Sequence, residues 1–371
     1  MEYRKLPHGE EQISILGLGT SSIGAAGEDE IQATVELALE KGINFFDMAS
    51  ADAAPFPAYG RAMAGARDKV CFQIHFGANY QGGMYGWTTD LDTIKRSIDW
   101  QLRALKTDYI DFGFLHCLDE ESDLQTVLDG GVLDYIQQLQ REGTVRHIGM
   151  SSHTPQVVNR VLDMGILDLL MFSINPGYDY HHGDYAIGGA EERMALYRRC
   201  EAEGVGISVM KAFSGGQLLN AKTSPFGQAL TEYQCLQYAL DKPGVLTVLP
   251  GVRNRADLTR ILGFLDASPE ERDYSVLGTF APPGRLRHLR LLQPLPALPR
   301  RAGRRPDQQV LRPGPGRRPA GEGPLPQPEP PCGGLHPVRP LRPPLPLPCG
   351  ADGAHGGDPL LLRPLTAAGR L

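Results

Sequence analysis

No apolar run in the 371 residues is long enough to cross a bilayer, which excludes a helical membrane span. The opening MEYRKLPHGEE is charged and lacks the apolar core of a secretory leader. Cysteine is scarce: six residues, at 71, 117, 200, 235, 332 and 349, without paired spacing. That excludes a disulfide framework and suits reduced thiols in a cytoplasm. No metal site is expected either. His181-His182 are adjacent, have no cysteine near them, and are not expected to hold one ion. Residues 281–371 lack Lys, Phe, Tyr, Trp, Ile, Met, Asn and Ser, yet hold 22 of the 31 Pro and 14 Arg. Such a stretch cannot bury enough apolar surface to offset chain entropy, and a disordered Pro/Arg-rich tail is expected. The remaining 280 residues carry 38 acidic and 23 basic side chains. That balance argues against nucleic acid as a partner. The partner expected instead is a small molecule.

What is present is a recurring pattern. Gly42-Ile43-Asn44-Phe45-Phe46-Asp47 reads as a helix stop, a buried strand and a carboxylate at the strand's end. Val70–Ile74 runs in the same way into His75, and Asp111–Leu115 into His116. An N-terminal β-hairpin is expected from Tyr3–Leu6 and Gln12–Ile15 around His8-Gly9-Glu10. Strands follow at Ile15–Thr20, Asn44–Asp47, Val70–His75, Asp111–Leu118, Arg146–Ser151, Leu169–Ile174, Val205–Ala212 and Leu246–Leu249. Helices fill the gaps. They include Glu28–Lys41, a short one at Tyr59–Arg67, Thr89–Leu105, Leu124–Glu142 with a weak point at Gly130-Gly131, Pro225–Asp241 and Arg255–Leu265. Gly77–Trp87 reads as a Gly-rich loop, and Asn175–Gly189 as a long loop whose Tyr178, Tyr180 and Tyr185 form a wall. Strand–helix alternation repeated eight times implies an α/β protein, a (β/α)8 TIM barrel over 1–280, followed by a tail over 281–371. Barrels of this kind keep their chemistry at the C-terminal strand ends, where Asp47, His75 and His116 fall.

Six segments carry a family likeness: ILGLGTSSIG, GINFFDMA, AYGRA, TDYIDFGFLHCLDE, IGMSSHTP and VLPGVRNRADL. In this order the chain resembles the aldo/keto reductases, oxidoreductases that move a hydride between a nicotinamide and a carbonyl or alcohol. The resemblance implies a catalytic Asp, Tyr, Lys and His. By motif these fall on Asp47, Tyr59, His75 and His116, with His75 standing where the family has lysine. A tyrosine hydroxyl protonates the carbonyl oxygen, a cation lowers its pKa, a carboxylate holds the cation, and a His orients the substrate. Taken singly, Asp47 could be a helix cap, Tyr59 a wall residue, and His75 structural or substrate-orienting. The resemblance also implies NADP(H), with Ser151, Ser152 and Asn175 at the nicotinamide amide and Gly251, Arg253 and Arg255 at the 2′-phosphate. These last precede a helix N-terminus that favours anions. The other functional class open to such a chain is a non-catalytic nucleotide-binding barrel, a sensor or regulatory subunit.

The tail has its own regularity. Leu289, Leu292, Leu295 and Leu298 are three apart; Leu335, Val338 and Leu341 are three apart, with Leu345 four on. Cysteine codons read one base early give Leu or Val, and the next codon must begin with C or T. All eight positions obey this, the following residues being Arg290, Gln293, Pro296, Pro299, His336, Arg339, Arg342 and Pro346. The spacings are those of two ferredoxin-type 4Fe-4S motifs. IHFGANY and YGWTTDLDTIKRSIDWQLRALKTDYIDFGF also resemble the subset of aldo/keto reductases that carry such a domain. The tail is therefore read as an out-of-frame ferredoxin domain. With no Cys at those eight sites, no 4Fe-4S cluster is expected in this chain.

Overall fold

Short buried strands alternating with amphipathic helices set the architecture. A computed structural model describes residues 1–180, 183 and 185–279. The readings of the tail over 281–371 and of His181-His182 lie outside those residues. The strands are β1 (Tyr3–Lys5), β2 (Gln12–Ser14), β3 (Leu18–Gly19), β4 (Phe45–Asp47), β5 (Cys71–Phe76), β6 (Ala78–Asn79), β7 (Gly86–Trp87), β8 (Ile110–Leu115), β9 (Val145–Ser152), β10 (Leu169–Ser173), β11 (Gly206–Met210) and β12 (Val245–Val248). Eight of them, β3, β4, β5, β8, β9, β10, β11 and β12, pair side by side in parallel. The ends meet: Leu16 bridges Val248 in parallel, and the Val248 N–H donates to the Ile15 carbonyl at 2.9 Å. The (β/α)8 barrel expected from the alternation is what forms.

Two apolar layers hold it, as side chains on a strand alternate between faces. Phe46 and Phe72 point outward to the helices; Phe45, Phe112, Phe114, Leu169 and Met171 fill the interior. Gly149 makes room inside, since a Cβ there would overlap the Phe114 ring. The β1–β2 hairpin supplies Leu6 and Ile13 to the same interior cluster. His147 fastens it, with Nε2 3.1 Å from Glu11 and Nδ1 3.1 Å from Asp168. Burial works against charge on His147, but its bonds to Asp168 and Glu11 outweigh burial and raise its pKa.

The helices follow their signals with three corrections. Leu91–Leu105 begins where expected, the Asp90 carboxylate accepting from the Thr93 N–H at 2.8 Å. The helix expected at Tyr59–Arg67 is Pro55–Ala62, because Pro55 is suited to a first helical position. Leu124–Glu142 is two helices, Glu121–Asp129 and Val132–Arg141, broken where Gly131 takes φ 73°. Pro225–Asp241 narrows to Glu232–Leu240, whose start is set by a capping box between Thr231 and Gln234. Gly77–Trp87 is no simple loop: β6 and β7 pair antiparallel within it. No helix of the described residues is long and apolar enough to cross a membrane.

Candidate active site

Each interior strand face changes character toward its C-terminal end. Phe45 gives way to Asp47, Cys71 to Gln73 and His75, Gly149 to Ser151, and Met171 to Ser173, two residues apart each time. His116 follows directly on β8. The result is a buried polar layer at one mouth of the barrel. Asp47 is 4% exposed, His75 0% and His116 8%.

These side chains form a continuous hydrogen-bonded chain. His75 Nε2 lies 2.7 Å from Asp47 Oδ1, and His75 Nδ1 lies 2.9 Å from His116 Nδ1. His116 Nε2 lies 2.8 Å from the Tyr85 hydroxyl. Gln73 supports the acid: its amide N–H donates to Asp47 Oδ1 at 2.8 Å, and its Oε1 accepts from Ser208 Oγ at 2.9 Å. With Asp47 ionised, His75 donates through Nε2. Its Nδ1 then accepts from His116 Nδ1 if His75 is neutral, or donates to it if His75 is an imidazolium. Burial, and then the charge of His75, push the pKa of His116 well below its ordinary value.

Tyr59 does not join them. It is fully buried in the outer layer, edge-on to Phe46 at 6.1 Å. Its hydroxyl has no hydrogen-bond partner among the described residues. Burial and then the Asp47 carboxylate raise its pKa far above the usual phenol value. Gly60 explains the motif: a Cβ there would collide with the Ala104 carbonyl, so the Tyr-Gly pair serves close helix packing. The hydroxyl is thus outside the hydrogen-bonded chain but within reach of the Asp47 charge.

The cofactor candidates fall in two groups. Ser151 accepts from the Cys117 N–H at 2.8 Å and lies 3.4 Å from His116 Nδ1. Ser152 donates to Asp119 at 3.2 Å, and Asn175 donates to the Lys211 carbonyl at 2.8 Å while capping Pro176–Asp179. Cys117 (φ 50°) and Lys211 (φ 58°) hold the left-handed backbone of non-glycine residues, a strain worth ~1–3 kcal/mol that gathers at functional mouths. The second group lies after β12. Gly251 precedes Arg253, Asn254 and Arg255, and the last three line a cavity of 810 Å³ with Ser22, Gly27 and Glu30. Arg253 is paired to Asp257 at 2.6 Å, and Arg255 to Glu30 at 2.8 Å.

The residues 15–232 match the model of the aldo/keto reductase family. The chain belongs to the aldo/keto reductase family. It is thus an oxidoreductase-type enzyme by membership. The chain is similar to an uncharacterized oxidoreductase of Bacillus subtilis, YqkF, at 27% identity, over 68% of this chain and 87% of that one. It is similar to L-galactose dehydrogenase of Arabidopsis thaliana at 28%, over 46% of this chain and just over half (56%) of that one. Among solved structures it is similar in fold to the aldo-keto reductase AKR11C1 from Bacillus halodurans, at TM-score 0.59 and 22% identity, covering 81% of this chain and 99% of that one. It is similar also to an aldo/keto reductase from Klebsiella pneumoniae in complex with NADP and acetate, at TM-score 0.54 and 19% identity, covering 77% and 98%.

Sequence reasoning about this family member missed Gln73, Tyr85, Ser208 and Glu30. Gln73 was within reach, since it shares a strand face with His75 two residues on. The others meet the site across 31 to 225 residues of chain, and no local pattern marks them.

Proposed function

We propose that this barrel is an NADP(H)-dependent oxidoreductase acting on a small carbonyl or alcohol substrate. The observation that carries the reading is the Asp47–His75–His116 chain at the C-terminal strand ends. A carboxylate-held imidazolium can there supply the positive charge that lysine supplies elsewhere in the family. NADPH, when bound, provides the hydride. Ser151, Ser152 and Asn175 are assigned to its amide end, and Gly251, Arg253 and Arg255 to its 2′-phosphate. The cavity beside the Arg255–Leu262 helix start, with two guanidinium groups on its wall, suits a phosphate. The test is NADPH oxidation by the full chain across a panel of aldehydes and ketones, beside NADPH binding by fluorescence. Turnover supports the reading. Binding without turnover overturns it in favour of a nucleotide-binding sensor, the second reading, which the burial of Tyr59 and the His at 75 favour.

Glu30 sets the affinity at the phosphate end. It holds Arg255 through both carboxylate oxygens, so an incoming phosphate must displace a like charge. Glu30→Gln is expected to tighten NADPH binding by about 5- to 20-fold while leaving NADH within about twofold, by removal of one close charge repulsion. Equal effects on the two nucleotides would sink the assignment of Arg255.

The finer reading concerns the tail. We infer that 1–280 is the oxidoreductase domain and that 281–371 is an out-of-frame ferredoxin domain. The support is the pair of four-residue spacings at 289–298 and 335–345, which a disordered linker has no reason to keep. In the intact form the barrel would exchange electrons with two 4Fe-4S clusters and a redox partner. Resequencing the coding DNA across codons 275–292 decides it: a gained or lost base supports the reading, and an intact frame removes it.

A further inference from the structure

The segments that follow β8 and β9 bring together a thiol, a carboxylate and an imidazole that the proposed reaction does not use. We propose that Cys117, Asp119 and His153 form a binding site for a single Zn2+ ion at the barrel mouth. The inference goes beyond the oxidoreductase reading and does not depend on it. Each residue offers one donor atom, and the three atoms lie within 4.8 Å of one another, the one such group among the described residues. Asp119 Oδ2 faces both partners, 3.7 Å from Cys117 Sγ and 2.9 Å from His153 Nδ1. A tetrahedral zinc ion with ordinary bond lengths holds its sulfur and oxygen ligands ~3.6 Å apart and its nitrogen and oxygen ligands ~3.4 Å apart. The donors therefore need to move by only about half an ångström to close on an ion.

The surroundings hold these groups in place. The other carboxylate oxygen of Asp119, Oδ1, accepts from the His153 backbone N–H at 2.6 Å and from the Ser152 hydroxyl at 3.2 Å. Those bonds fix the carboxylate and leave Oδ2 aimed at the side-chain donors, as outer-shell bonds do for metal ligands. His153 is 5% exposed, and its ring packs on Tyr185 with centroids 4.4 Å apart, so the imidazole arrives in a fixed orientation. Its Nε2 has no hydrogen-bond partner among the described residues. With Asp119 ionised and no metal, Nδ1–H donates to the carboxylate. When an ion takes the Nδ1 lone pair, the ring proton moves to Nε2, and no bond at Nε2 is broken by that move.

Cys117 Sγ–H donates to the same oxygen. Coordination breaks that S–H bond, forms an S–Zn bond and releases one proton to solvent. Thiolate and carboxylate together then balance the two charges of the ion. Lys211 opposes it: its ammonium stands 3.5 Å from the centre of the Tyr185 ring, and its charge acts on both Cys117 and Asp119. A sulfur, nitrogen and oxygen set suits borderline-soft zinc rather than Mg2+ or Ca2+, and three protein ligands leave a fourth position for water. The sequence hides the site because His153 ends a different strand, 34 residues beyond Asp119.

The test titrates the reduced, metal-stripped full chain with Co2+, a coloured stand-in for zinc. The expected result is a thiolate-to-cobalt charge-transfer absorption that saturates at one equivalent and that Zn2+ then abolishes. Cys117→Ser is expected to lose this absorption, and His153→Gln to weaken cobalt binding by about 10- to 100-fold. Melting curves give a second readout. Zn2+ should raise the melting temperature of the wild type by about 5 °C or more and leave Cys117→Ser within about 1 °C. A wild type without the absorption overturns the proposal. So does an absorption that persists in Cys117→Ser, which would place the metal on other cysteines such as Cys332 or Cys349. Cobalt affinity within about twofold in His153→Gln overturns the site as drawn. None of these readouts needs turnover, so failure of the oxidoreductase reading does not disturb them.

Discussion

Asp47→Asn is expected to lower kcat for carbonyl reduction by ~100- to 1,000-fold while leaving NADPH affinity within about twofold. The carboxylate is the only formal negative charge in contact with His75 among the described residues, at 2.7 Å and nearly sealed from water. An asparagine keeps the shape and one hydrogen bond but removes the charge that stabilises an imidazolium there. Burial alone disfavours a charged ring, and the variant loses the charge that offsets that cost. The loss falls within the range of a positioned acid–base group. Full activity in the asparagine variant would remove Asp47 from the mechanism.

How much of this site could be read before the structure follows from where its contacts originate. Asp47, His75 and His116 were legible because each ends a short apolar run, and a parallel barrel brings such ends together. The expected closure also held, since Leu16 and Val248 carry the flanking apolar pattern of first and last strands. The Tyr59-Gly60 pair is ambiguous in sequence for a physical reason. A Tyr-Gly pair after the second barrel strand has the same spelling whether the glycine frees a catalytic loop or admits a neighbouring helix. Only the approach of Ala104 to Gly60 distinguishes the two. Tyr85 was hidden because β6 and β7 are two residues each, too short to show an alternation. The Glu30–Arg255 pair joins the first helix to the last barrel loop and leaves no trace in local sequence.

The second large effect concerns the wall of the mouth rather than the proton chain. Asp179→Ala is expected to destabilise the barrel by about 3–5 kcal/mol or more, enough to lower soluble yield sharply. Asp179 and Arg193 are both fully buried, with Arg193 Nε 2.7 Å from Asp179 Oδ1. The Tyr197 hydroxyl donates to Asp179 Oδ1 at 2.9 Å and the Tyr238 hydroxyl to Oδ2 at 2.7 Å. Alanine would strand a buried guanidinium and two phenols at once, while the whole domain has only about 5–15 kcal/mol in reserve. The guanidinium also donates to the Ser173 and Ile187 carbonyls, the two flanks of the loop that begins at Asn175. The cluster therefore fixes where Asn175 stands relative to β10, and its loss reaches the proposed nicotinamide site as well as the fold. Thermal unfolding of Asp179→Ala beside the double variant Asp179→Ala, Arg193→Met separates the causes. Removing both charges should recover a large part of the melting temperature, because the main cost is the unpaired ion. A single variant that melts within about 2 °C of wild type would show that water reaches Arg193 and that the cluster is not the clamp its burial implies.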